Sequence, residues 1–175
     1  MTAGGRARVQ RHHSRRGSSV LYAVVLSPIL LLSLALAVEV GVLQLTKQRL
    51  RSAVDQAAVV AVAGRAQAGP HAQLDRGAAA ALLRTALAEN LRPLAHDIDG
   101  ISADDVASNA DVAVITEVPA PNPFDPSALV RRPTVEVRAR IPVRTGLLSV
   151  AGVPATVTLT LVAAADLRVT GGTGP

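Results

Sequence analysis

From Gly17 to Val38 the chain sets no charged residue among its valines, leucines and alanines. Wound as a helix at about 1.5 Å per residue, that run is about 33 Å long, enough to cross a bilayer's hydrocarbon core. The pattern then changes without a break. From Val40 to Ala63 there is no proline, and Leu43, Leu50, Val54, Ala57 and Ala61 recur at helical spacing, with Lys47, Arg49, Arg51 and Asp55 mainly on other faces. The simplest reading is one helix of about 45 residues from Ser18 whose outer half is amphipathic. Gly64 and then Gly69-Pro70 are its stop signals. The apolar stripe is mostly alanine and permits close packing, against the protein's own sheet or against neighbouring helices. Pro28 removes the hydrogen bond to the carbonyl of Val24 within the span, and Ser27 is placed to satisfy part of that loss.

A second helix is predicted from about Gln73 to Leu91, with Leu74, Ala78, Ala81, Leu82, Ala88 and Leu91 along one side and Pro93 ending it. Beyond a polar segment at Asp97–Ser108 the period changes to two. Asp111–Val118 reads as a strand. Thr134–Ile141 reads as another, with Val135, Val137, Ala139 and Ile141 on one face and Glu136, Arg138 and Arg140 on the other. Thr156–Ala163 repeats the alternation, as half-buried antiparallel strands do. Pro119, Pro121, Pro123, Pro126 and Pro133 mark the connection between the first two strands as an exposed loop without a regular element. The expected fold is α+β and pseudopilin-like: a long N-terminal transmembrane helix continuing into an amphipathic helix, then a second helix and a small antiparallel sheet. Residues 1–16 form a basic tail, 17–64 the long helix, 65–168 an extracytoplasmic domain and 169–175 a fraying end.

The formal charge of +5 belongs to the tail: Arg6, Arg8, Arg11, Arg15 and Arg16 precede the apolar run, and beyond residue 38 basic and acidic side chains are equal in number. Arginines on one flank hold that flank in the cytoplasm, which puts residues beyond Glu39 outside the cell membrane. The body has no net field, and Tyr22 and Phe124 are its only aromatics, so nucleic acid is not an expected partner. With no cysteine there is no disulfide and no thiolate-bound metal. No cofactor and no small-molecule substrate are expected.

Candidate chemistry is sparse. Asp97 and Asp99 flank Ile98 just before Gly100, with Asp104 and Asp105 close behind, a group of oxygen ligands that resembles a calcium loop only weakly. The acidic residues are read first as turn residues capping a helix or loop. His12 and His13 lie in the tail. His71 and His96 stand without a nucleophile elbow, a phosphate loop or a dinucleotide fingerprint, so the chain is not read as an enzyme. Glu39, the acid bordering the span, either sits at the headgroup level or meets a basic or backbone donor group within an assembly.

The order Arg15-Arg16-Gly17, an apolar helix containing Pro28, Ala37-Val38-Glu39-Val40-Gly41 and then Gln48-Arg49-Leu50-Arg51-Ser52-Ala53-Val54-Asp55-Gln56-Ala57-Ala58 resembles the TadE/TadG-like proteins of the Flp (Tad) type IV pilus system. The resemblance implies a membrane-anchored assembly protein whose partners are membrane lipid and other Tad or Flp subunits. The packing positions it singles out are Pro28, Glu39, Gly41, Leu50, Val54, Asp55, Ala57, Ala58 and Ala61. It also implies a possible prepilin-type cut at Gly17-Ser18. Prepilins so processed usually carry Glu five residues after the glycine, and here that position is Tyr22, which leans towards the uncut, TadG-like branch.

A second reading stays open. Ala35-Leu36-Ala37 has the small-x-small form of a signal-peptidase site, and a cut after Ala37 would release a soluble binding module. The span is longer than a usual signal core, and the helical pattern runs through the supposed cut.

Overall fold

A computed structural model describes residues 15–64, 74–146, 148–149 and 152–167. The tail with His12 and His13, the stop signal Gly69-Pro70, His71, Gln73 and the end from residue 168 lie outside the described residues. The first element, α1 (Arg15–Ala63), is one α-helix of 49 residues with Pro28 inside it. Within the span Ser33, not Ser27, bonds the backbone: its hydroxyl donates to the Ile29 carbonyl at 2.8 Å. The helix ends where Gly64 donates its N–H to Val60. A Cβ at Gly64 would stand 2.6 Å from Leu82 Cδ2, so any larger residue here makes that leucine tip move aside.

The second helix, α2 (Arg76–Leu91), starts on Asp75, whose carboxylate accepts from the Ala78 N–H at 3.0 Å. It packs along α1, and Asn90 Nδ2 donates to the Ala53 carbonyl across the contact at 3.1 Å. A 3-10 turn (Arg92–Asp97) and a short helix, α3 (Ala103–Ser108), occupy the polar segment for which no element was expected. A capping box starts α3: Ser102 Oγ accepts from the Asp105 N–H at 3.1 Å, and the Asp105 carboxylate accepts from the Ser102 N–H at 3.2 Å.

The sheet has the order β1-β4-β5, antiparallel throughout, built from β1 (Asp111–Ile115), β4 (Thr134–Arg144) and β5 (Thr156–Asp166). Between β1 and β4 lies a two-residue ladder, β2 (Ala120–Pro121) with β3 (Leu129–Val130). The fold is thus α+β, as expected. Val135, Val137, Ala139, Ile141 and Val143 of β4 are buried with Leu161, Ala163 and Ala165 of β5 on the face towards α1 and α2.

Three expectations are corrected here. The first strand stops at Ile115 rather than Val118. The proline-rich connection does contain a regular element, because Pro121 lies at the end of a ladder only two residues long, where a missing N–H costs little. Glu136, on the polar face of β4 by alternation, is only 3% exposed. The connection folds back over it: Asn122 Nδ2 donates to Glu136 Oε1 at 2.6 Å, Arg138 donates to the Phe124 carbonyl at 3.0 Å, and the Arg138 guanidinium lies 4.5 Å from the Phe124 ring centre.

The core is aliphatic, and its largest fully buried side chains include Leu50, Leu83, Leu87, Leu91 and Ile141. Leu87→Ala is expected to cost about 2–5 kcal/mol as an unfilled cavity, whereas Val59→Ala, on the exposed side of α1, should stay within about 0.5 kcal/mol. Chemical denaturation of the full chain in detergent, followed by circular dichroism, checks both.

Candidate functional site

The two halves of α1 have opposite surroundings. From Tyr22 to Leu34 every side chain is exposed, Val24 and Leu30 at 66%. This is the one helix among the described residues long and apolar enough to cross a membrane. A core helix of a globular domain turns one apolar stripe inward, whereas this stretch is bare on every side. Pro28 lies in the bare stretch, and Tyr22 is exposed near its start; Gly17 and Ser18 belong to α1. Ala35 is half-buried and Ala37 exposed, and the helix runs unbroken through both.

Past this stretch one stripe of α1 goes under. Ala35, Leu36, Glu39 and Leu43 are half-buried, Thr46 is buried, and Leu50, Val54, Ala57, Ala58 and Ala61 are fully so. What covers the stripe is the chain's own α2 and β5. Asp55 lies off the stripe in an exposed pair with Arg51 at 3.9 Å, and Gly41 is open, with nothing within 4 Å of a Cβ placed there.

Glu39 stands where the bare stretch meets the covered one. Its Oε2 accepts from the Leu148 N–H at 2.7 Å, so the carboxylate finds a backbone donor within its own chain, in the turn between β4 and β5. Gly146 lies so close that a Cβ would be 3.3 Å from Oε1. The other side of the carboxylate faces a cavity of about 170 Å³ shared with Thr46, His96 and Asp97. Glu39 Oε1 and Asp97 Oδ2 are buried with no hydrogen-bond partner among the described residues, and a polar cavity of this size has room for the water that such oxygens take.

The four aspartates read as a weak calcium group go to separate partners. Asp99 accepts from Thr156 Oγ1 at 2.5 Å and from Arg144 Nη2 at 2.7 Å. The Thr156 hydroxyl, then the Arg144 guanidinium, hold its carboxyl below the usual range. The Ser102 hydroxyl and N–H do the same for Asp105. Asp104 meets Arg92 at 3.3 Å, and Asp97 lies 3.4 Å from His96. Among the described residues no three His, Cys, Asp or Glu side chains gather as metal ligands.

Sequence reasoning missed Glu136. Burial pushes its carboxyl up, the nearby Asp166 charge adds to the rise, and the Asn122 amide opposes it. Its Oε2 has no protein partner. Alternation alone carries no sign that the connection returns over the sheet.

Three outcomes follow from these contacts. Glu39→Ala removes the acceptor of a part-buried N–H and is expected to cost about 1–3 kcal/mol, with faster hydrogen exchange at the Leu148 amide; Glu39→Gln, which keeps an acceptor oxygen, should largely restore protection. Glu136 keeps its proton to higher pH in the folded chain than in the unfolded one. Its contribution is therefore full below the ordinary glutamate value and is lost as pH rises through the raised one. Tm measured against pH should fall less steeply there in Glu136→Gln. Asp99 has the opposite sign: its contribution is present above the ordinary aspartate value and lost as pH falls, so Asp99→Asn should flatten the acid side.

No curated protein and no solved structure matches the chain significantly. Residues 17–68, which are α1 from its third residue and the beginning of the connection after it, match the family of Flp pilus-assembly TadE/G-like proteins, a family of pilus-assembly components rather than a known enzyme class, without separating the TadE-like from the TadG-like branch.

Proposed function

We propose that this chain is a single-pass structural component of a Flp (Tad) pilus or secretion assembly. It is held by Gly17–Val38 with the arginine-rich end in the cytoplasm and the α+β domain outside, and it works by packing against other subunits. One observation carries the reading. The segment that matches the pilus-assembly family is the helix whose membrane-length half is bare while its other half is the core helix of the domain.

The alanine stripe is already filled by the chain's own α2 and β5, so lateral contact falls to another face. Ser33, Ala37 and Gly41 follow one another at intervals of four and are all exposed. Small residues at this spacing let a neighbouring helix approach closely within or beside a membrane. Val38, Val42 and Leu45 extend the same side as exposed apolar surface just past the span. In the domain, Thr156, Thr158, Thr160 and Val162 leave the outer face of β5 open to a neighbour.

Gentle detergent extraction and pull-down should recover other Tad components with this chain. Gly41→Leu should lose them while leaving Tm and the circular dichroism spectrum unchanged, since nothing in the fold meets that position. Recovery of the wild-type chain alone would overturn the assembly role. Intact mass from isolated membranes tests the anchor: full length supports it, loss of residues 1–17 indicates prepilin-type processing, and loss of residues 1–37 indicates the secreted module.

A further inference from the structure

We infer that the turn between β4 and β5 is a second membrane contact, seated in the outer leaflet beside α1. The inference rests on the membrane placement proposed above and adds to it a lipid-facing part of the folded domain.

Position is the first argument. Glu39 is the first charged residue after the uncharged run from Gly17, so it marks the outer boundary of the span. Its bond to the Leu148 N–H holds the turn at that level. The half-buried stripe of α1 continues past Glu39 to Leu36 and Ala35, about one helical turn, or about 5 Å, further into the span.

Composition is the second. No charged residue occurs from Thr145 to Ala165. The nearest charge at the other foot of the turn is Arg144, an exposed guanidinium bonded to Asp99 at the strand end. A charge-free turn with an arginine at its base suits the boundary between acyl chains and phosphates.

The third argument is hydrogen bonding, which hydrocarbon makes decisive because it offers no partner to a bare amide. Among the described residues of the turn, Thr145, Leu148, Ser149, Gly152 and Val153 place their N–H groups within the chain. Thr145 N–H donates to the Ala155 carbonyl, Ser149 N–H to Gly146, Gly152 N–H to Ser149 and Val153 N–H to Leu148, at 2.8, 3.3, 3.1 and 3.1 Å. The Leu148 N–H goes to Glu39, and Pro154 has none to place. The Thr145 and Ser149 hydroxyls donate to the Pro154 and Gly146 carbonyls, each at 2.6 Å. Gly152, at φ +86°, supplies the left-handed residue that closes the turn.

The chain contains no tryptophan, so a single introduced one reports alone. The full-length protein is placed in phosphatidylcholine–phosphatidylglycerol vesicles containing lipid brominated high on its acyl chains. Ser149→Trp and Val153→Trp report on the turn, Leu31→Trp on the span, and Leu129→Trp on an exposed site of the domain. The expected result is blue-shifted, bromine-quenched emission from either turn variant and from Leu31→Trp, and unquenched emission from Leu129→Trp. Two turn positions are used so that one disruptive substitution leaves the other to decide. If both turn tryptophans stay unquenched while Leu31→Trp is quenched, the inference fails and the membrane anchor stands. A blue shift without quenching means that another protein surface covers the turn, which also overturns it. If Leu31→Trp itself is unquenched, the anchor and the inference fall together.

Discussion

Everything in this molecule depends on α1 being continuous while its two halves answer to different surroundings. In water an amphipathic helix shows one apolar stripe, and in lipid an apolar helix shows none. Here a half bare on every side and a half with one buried stripe follow one another along 49 residues. The change takes place within about two turns of Glu39, where side chains on the stripe pass from exposed through half-buried to buried. The domain is therefore assembled around the continuation of its own apolar helix. The alanines at positions 53, 57, 58 and 61 let α2 and β5 lie close to the helix axis, and Gly64 extends that closeness to the end of the helix.

Charge contributes little to this arrangement and specifies local geometry instead. The pairs Arg51–Asp55, Arg92–Glu89 and Arg140–Asp111 are exposed and of small energetic weight. The carboxylates that matter are those bonded to neutral donors: Asp75 and Asp105 start helices, and Glu39 receives a turn. Glu136 is the exception, held under the returning connection by an amide beside a second acid, an arrangement that weakens as the carboxyl ionises.

Much of the fold could be read from residue spacing because it is set by short-range periodicity. The continuity of α1 follows from a proline-free register after Val40, and β4 and β5 from strict alternation at Val135–Ile141 and Val157–Ala163. What escaped is long-range. The two-residue ladder and the burial of Glu136 depend on where the 116–133 segment returns, and five prolines describe only its local stiffness. The capping box at Ser102 and Asp105 matches the reading of these acids as caps, but the six residues of α3 are too few to show a helical period in the sequence. The contact of Glu39 with a residue 109 positions away could not come from spacing, although its place at the lipid boundary singled it out. The family match covers α1, whose composition is constrained on every side, and leaves the sheet without a counterpart.

One helix without a joint between the bilayer and the core has a mechanical result. From Glu39 to Ala63 the rod is about 36 Å long, and transmembrane helices lean by about 20° on average, more where the bilayer is thin. A lean of that size swings the far end sideways by about 12 Å, and the sheet packed on α1 must travel with it. Pro28, the weak point of the helix, lies below the whole lever, so bending there reorients the body as a unit and leaves its interior undisturbed. On the proposed placement, bilayer thickness would set the angle at which the domain stands to the membrane.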